Sequence, residues 1–362
     1  MTDYRPPAHG GQRRWATEIW GRDPGRWLDF SANLNPLGPP APVLAALREG
    51  LGEVGFYPDL EAKQATRAVA AYLGVDPEGV LLTSGGMEAL FLGVRAARPH
   101  RAVVREPAFG GYREALSAAG VPAVGHFGAL RALLEEEFPP RQILVVGQPG
   151  NPTGTLEDQE VLVQLAGRLA ERDGLLLVDE AFIDFLEVPE RHSLRSHAAA
   201  HPGLLVVGSL TKFFTLPGLR IGYALAPPPL LAALRGQATP WSLGSLAQTA
   251  AVAAVADRAF IAETRRFLPP ARSELAAALR ETRAFAVLEG TANYLLLDAR
   301  PSGIPAKGWV EGVARRGILL RDASNFPGLS PYHLRIAVRM PEENERLVGV
   351  LREILGEEQV VL

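Results

Sequence analysis

Three short runs of this chain are apolar at every position: Ile143-Leu144-Val145-Val146, Leu175-Leu176-Leu177-Val178 and Leu204-Leu205-Val206-Val207. Successive side chains of a strand point to opposite faces, so a strand with one wet face alternates apolar and polar residues. A run with no polar member suits a strand covered on both sides. Val80-Leu81-Leu82-Thr83 and Ala102-Val103-Val104 extend the set. Stretches with helical spacing separate these runs, which predicts an α/β fold with a mostly parallel sheet between layers of helices. Helices are expected over 42–51, 60–73, 87–97 and 110–119. In the second of these, Ala65, Val69, Ala70 and Leu73 share a face.

The texture changes after Pro240. One long helix or two is expected over 246–268, broken by Pro269-Pro270, with a helix resuming over 271–283. Strands at 292–297, 318–321 and 333–338 and a closing helix over 342–355 complete an α+β tail. The expected organisation is an irregular arm rich in Gly and Pro (1–40), a large domain (41–240), and linking helices with a small C-terminal domain (241–362). The inner boundary falls within 240–270.

At 362 residues the chain is long enough for two domains, and 47% hydrophobic residues exclude general disorder. A net charge of −3 gives no electrostatic reason to expect nucleic acid, although a local arginine cluster would still hold a small anion. With no cysteine, disulfides, thiolate catalysis and cysteine-ligated metals are excluded. His192, His197 and His201 lack ligand spacing and read as surface residues, so no metal is expected. Residues 1–7 lack the apolar core of a signal peptide. No uninterrupted apolar run approaches the roughly 20 residues that span a bilayer. A cytoplasmic setting is the expectation.

The chemistry-bearing stretch is Ser209-Leu210-Thr211-Lys212-Phe213-Phe214-Thr215-Leu216-Pro217-Gly218-Leu219-Arg220. It places one amine among small hydroxyls, with an arginine further on. An amine that forms a Schiff base with a phosphorylated aldehyde needs donors for the phosphate nearby. Asn151-Pro152-Thr153-Gly154 and Val178-Asp179-Glu180-Ala181 precede it. Motifs of this kind in this order resemble the fold-type I pyridoxal-phosphate enzymes, in the branch that holds histidinol-phosphate aminotransferase and threonine-phosphate decarboxylase. The resemblance runs from His9 to Arg339. It implies a large domain with a seven-stranded sheet, a small C-terminal domain, and pyridoxal 5′-phosphate as cofactor.

Carried over residue by residue, the resemblance makes Lys212 the Schiff-base lysine. Asp179 becomes the partner of the pyridine nitrogen, and Asn151 a donor to the phenolic oxygen. Phe109 matches the ring that stacks on the cofactor. Ser84, Gly85 and Gly86, between a strand and a helix, match the phosphate cradle; a tight turn would use the same glycines. Ser209, Thr211 and Arg220 are assigned to the same phosphate. Phe182 departs from many aminotransferases, which have a tyrosine donor there. Tyr57 matches a tyrosine that reaches the cofactor phosphate of the neighbouring subunit, so a homodimer is implied.

For substrate, Arg335 matches the arginine for a carboxylate, and Arg321 one that faces a phosphate. His9-Gly10-Gly11 and Asp29-Phe30-Ser31-Ala32-Asn33-Leu34-Asn35-Pro36-Leu37-Gly38-Pro39 resemble the opening of the cobalamin-pathway decarboxylases. His9 is therefore a candidate phosphate donor, and Asn33 and Leu34 candidates for the mouth of the site. These features and Phe182 favour decarboxylation of L-threonine O-3-phosphate; transamination of histidinol phosphate is the alternative.

Overall fold

The computed structural model describes residues 9–361, with side chains described through residue 357. The expected absence of a signal peptide at residues 1–7 lies outside this range.

Thirteen strands occur among the described residues: β1 (Leu28–Asp29), β2 (Val80–Thr83), β3 (Arg101–Arg105), β4 (Ala123–His126), β5 (Gln142–Gly147), β6 (Leu175–Asp179), β7 (Leu204–Ser209), β8 (Gly222–Leu225), β9 (Ala286–Leu288), β10 (Tyr294–Asp298), β11 (Ile318–Leu319), β12 (Arg321–Asp322) and β13 (His333–Ala337). Seven of them form one sheet in the order β2-β8-β7-β6-β5-β3-β4. All its neighbours are parallel except β8, which runs against both β2 and β7.

The continuous apolar runs are explained by where alternate residues go. Leu175, Leu177, Leu205 and Val207 pack on one side of the sheet with Ala89, Leu92 and Leu116. Leu176, Val178, Leu204 and Val206 pack on the other with Leu162, Leu165 and Leu169. The helices Gly85–Ala97 and Gly111–Ala118 thus cover the first face, and Gln159–Ala170 the second. Each buried leucine or valine contributes about 1.5–3 kcal/mol of transfer free energy.

The C-terminal part builds a four-stranded antiparallel sheet in the order β12-β13-β10-β9. The early chain is tied to this part: β1 pairs in parallel with β11, Leu28 opposite Ile318. The single strand expected over 318–321 is therefore two short ones with different partners.

Two further expectations are corrected. The arm is not irregular throughout, since Arg13–Trp20 is a helix that closes on a left-handed Gly21 and buries Ala16. Pro269 and Pro270 do not break a helix; they lie inside Arg258–Glu281. The break falls earlier, at Asp257, which accepts from the amide of Phe260 and so starts the new helix. Burial of Leu268, Ala271 and Leu275 around the prolines offsets the missing amides. No described helix is long and apolar enough to cross a membrane.

Candidate active site

Ligands of open α/β sheets bind beyond the carboxyl ends of the strands. Here those ends meet a cleft of about 520 Å³ lined by Lys212, Asp179, Asn151, Phe109, Phe182 and Arg220. His9, Asn33, Arg321 and Arg335 complete its wall. Ten of the sequence-derived candidates thus share one cavity.

Lys212 lies on a one-turn helix, Leu210–Phe213, directly after β7. Two hydroxyls fix its start: Ser209 Oγ accepts from the Thr211 amide at 3.3 Å and shares a hydrogen bond with Thr211 Oγ1 at 2.7 Å. The arm braces this turn from outside. The Asn35 amide nitrogen donates to Lys212 O at 3.1 Å, and Asn35 Nδ2 donates to Phe213 O at 2.8 Å. Burial, then the nearby Arg335 and Arg220 guanidiniums, push the Lys212 amine down to about 8, while Asp179 opposes them.

Asp179 ends β6. Its Oδ1 accepts from the Ala181 amide at 3.0 Å and its Oδ2 from the Tyr112 hydroxyl at 2.9 Å. Burial raises its pKa; those two bonds and Lys212 pull against the rise. Its neighbour Glu180 is bonded elsewhere, accepting from Ser193 Oγ and the Leu194 amide, both at 2.6 Å.

Asn151 Oδ1 accepts from Arg335 Nη1 at 2.8 Å, and Arg335 Nη2 donates to Ser31 O at 2.7 Å. Phe109 stands edge-on to Tyr112, with ring centroids 5.7 Å apart. Phe182 stands edge-on to Tyr294 at 5.0 Å, and the Tyr294 hydroxyl donates to Gly150 O at 2.7 Å.

Ser84, Gly85 and Gly86 lie at the start of the helix Gly85–Ala97, where unpaired amides and the helix dipole favour an anion. Gly85 has φ 82°, and a Cβ there would stand 2.6 Å from Arg220 Nη2. Glycine is therefore what lets the guanidinium lie against the helix start. Gly86 is next to Gly208 and Ser209. Of the six phosphate candidates Arg220 alone lines the cleft; Gly85 lies against that arginine, Gly86 against Ser209, and Ser209 is bonded to Thr211.

At the mouth, Asn33 is buried with neither amide atom hydrogen-bonded. Arg321 donates to Asp322 O and Asn325 Oδ1 and lies over the ring of Phe326. Burial lowers the pKa of both arginines, that of Arg335 to about 10, with the Arg321 charge adding to its shift. His9 Nε2 is 3.4 Å from Glu114 Oε1, and its ring is tilted over Phe109 at 5.6 Å. The next residue, Gly10, lies tight against Ser31, where a Cβ would stand 1.9 Å from the carbonyl oxygen.

Leu34 and Tyr57 stand apart from both the cleft lining and the phosphate candidates. Leu34 is half-buried between Asn33 and Asn35 and does not line the cleft. Tyr57 is 84% exposed and packs on Trp241 at 5.0 Å, away from this chain's own cleft. Sequence reasoning missed Tyr112, Tyr294, Asn325 and Glu114. Only Tyr112 carried a signal: it follows Phe109 by three positions at the start of a helix, a spacing that brings two rings to one side.

The arrangement can hold a flat, phosphorylated, aldehyde-bearing ring. Arg220 beside a helix start offers an anion cradle, Asp179 a buried carboxylate, Lys212 a primary amine, and Phe109 and Phe182 an aromatic wall. A carboxylate whose burial raises its pKa gains from a positive N–H in contact, as a protonated pyridine supplies. Neutral amine is well populated near pH 8, as attack on an aldehyde requires. The residues fit pyridoxal 5′-phosphate, and fold and site together define an enzyme of the class that uses it.

The family follows from comparison. Residues 26–351 match the model of the aminotransferase class I and II family, and the chain belongs to that family. It is 34% identical to threonine-phosphate decarboxylase of Salmonella typhimurium, over 96% of both chains. It is 32% identical to histidinol-phosphate aminotransferase 2 of Pseudomonas fluorescens, covering 92% of this chain and 90% of that protein. Histidinol-phosphate aminotransferase from Sinorhizobium meliloti, solved in complex with pyridoxal-5′-phosphate, shares the fold with a TM-score of 0.85. That match covers 99% of this chain and 98% of that one, at 23% identity.

Proposed function

We propose that this chain decarboxylates L-threonine O-3-phosphate to (R)-1-amino-2-propanol phosphate, a precursor of the cobalamin side arm. The observation that carries the reading is the pair of buried guanidiniums, Arg321 and Arg335, on one cleft with Lys212. Two buried cations, one close enough for its charge to lower the pKa of the other, suit a small substrate bearing two anionic groups. Phe182 at the cleft wall and the similarity to a threonine-phosphate decarboxylase favour decarboxylation.

When bound, pyridoxal phosphate supplies an electron sink for the pair left at Cα when a bond to it breaks. Asp179 would accept from the ring nitrogen and favour its protonated form, and Asn151 would donate its NH₂ to the phenolic oxygen. Ser84, Gly85, Gly86, Ser209, Thr211 and Arg220 would hold the phosphate. Phe109 would supply an aromatic face to the ring, and Phe182, which has no donor, would leave the phenolic oxygen to Asn151. Arg335 orients the carboxylate end of the substrate, while Arg321, His9 and Asn33 receive its phosphate. The carboxylate leaves as carbon dioxide, and a proton from Lys212 Nζ or from water takes its place on Cα.

The active unit in this reading is a cytoplasmic homodimer. Leu51, Val54, Phe56, Tyr57 and Leu60 form an exposed apolar stretch that a second copy would cover, placing Tyr57 at the neighbour's phosphate. Transamination of histidinol phosphate is the second reading, supported by the similarity to that aminotransferase. The test offers the purified enzyme threonine phosphate, and separately histidinol phosphate with 2-oxoglutarate. Carbon dioxide release from the first supports decarboxylation; glutamate formation from the second, with no carbon dioxide from the first, reverses the assignment.

A further inference from the structure

Tyr112 has no part in the residue set above, yet its hydroxyl provides the side-chain hydrogen bond on Asp179. The second bond to that carboxylate comes from a backbone amide, Ala181 N. The phenol is 3% exposed. Its ring is held edge-on by Phe109, and its oxygen sits where a Cβ on Gly147 would stand 3.0 Å away. These contacts allow the hydroxyl little freedom, and it points at Asp179.

We propose that Tyr112 is a positioning residue that acts on the cofactor through Asp179. A carboxylate has two oxygens and about four acceptor sites. The Tyr112 hydroxyl and the Ala181 amide occupy one site on each oxygen. They hold the plane of the group and leave its remaining lone pairs for a donor in the cleft. Donation from Tyr112 also favours the charged carboxylate over the neutral acid. Burial, and the adjacent Asp179 and Glu106 carboxylates, push the phenol well above its usual range, so it stays a donor throughout the working pH range. The inference rests on the reading that Asp179 receives the ring nitrogen.

The experiment is a double-mutant cycle on cofactor affinity, read without turnover. Apo-protein of wild type, Y112F, D179N and Y112F/D179N is titrated with pyridoxal phosphate by absorbance. Tyr112→Phe keeps the ring that packs on Phe109 and removes only the hydroxyl. It is expected to weaken binding roughly tenfold, the size of one hydrogen bond to a charged group. In the D179N background the same change is expected to have little effect. A ring-nitrogen ¹⁵N shift of bound labelled cofactor that moves toward the neutral form in Y112F is expected as well. Equal losses in both backgrounds, or no loss in Y112F, would overturn the proposal. Unchanged affinity in D179N alone would remove the Asp179 reading, and the role of Tyr112 with it. Should Y112F fail to fold, Tyr112→His keeps an N–H donor near the same place; affinity within a few-fold of wild type supports the proposal, and a D179N-like loss counts against it.

Discussion

Arg335 Nη1 donates to Asn151 Oδ1 across 2.8 Å, and that bond decides which way the Asn151 amide faces. A guanidinium has donors only, so it must meet the carbonyl end. The NH₂ end is left for the cleft, where an oxygen of a bound ligand can accept from it. One arginine on β13 therefore sets the polarity of a group on the loop after β5.

Replacing Arg335 should accordingly disturb two things at once. Arg335→Ala is expected to lower kcat/KM by about 10²–10³, as removal of a buried charge-assisted pair does. It should also shift the absorbance maximum of the bound cofactor in the absence of substrate. Steady-state kinetics and the visible spectrum of the same preparation check both. An unchanged spectrum would mean that Asn151 keeps its orientation unaided.

Lys212 should be the single site of covalent attachment. After borohydride reduction of the holoenzyme, peptide mass spectrometry is expected to place the tag on Lys212. Lys212→Ala should take no tag and lose turnover by at least about 10³-fold.

The depressed pKa of Lys212 carries a stability cost with a definite sign. The unfolded lysine keeps its proton up to 10.5, and the folded one only to about 8. Between those values the unfolded chain binds more protons, so stability rises with pH; below about 8 the whole cost is present. Lys212→Met in the apo-protein is expected to stabilise the fold by up to about 3 kcal/mol at pH 7. The gain should shrink as pH rises from 8 toward 10.5. Urea unfolding at several pH values measures it.

Behind Asp179 lies a buried ionic cluster. Arg195 makes two bonds to Asp184, at 2.8 and 3.0 Å, donates to the Tyr223 hydroxyl at 2.7 Å, and stands 3.3 Å from Glu180. Removing one partner strands the others without water. Arg195→Leu should cost about 3–5 kcal/mol, read from the denaturation midpoint.

How much of this was visible in the residues depends on the range of the interaction. Leu175–Asp179 and Leu204–Ser209 announce themselves because burial on both faces removes every polar residue but the last. Ala123–His126 did not, because it is an edge strand with two exposed members. Gly222–Leu225 was missed because a short strand that opens on glycine resembles a turn. The motifs around Lys212, Asp179 and Asn151 were readable because each lies within a few consecutive residues. The bonds that brace them were not. Tyr112 reaches Asp179 across 67 positions, and Asn35 reaches Phe213 across 178. Contacts of that span leave no periodicity to detect. The helix through Pro269 and Pro270 shows the reverse error, in which a strong local rule gave way to packing.

The bond from Arg335 to Ser31 ties the last of the described strands to the turn that follows the first. A ribosome that has delivered everything through Arg220 has delivered the amine, the carboxylate and the anion cradle, but not the wall that orients them. A chain cut short before β13 would thus be born without a finished pocket, and competence would wait until that strand had emerged.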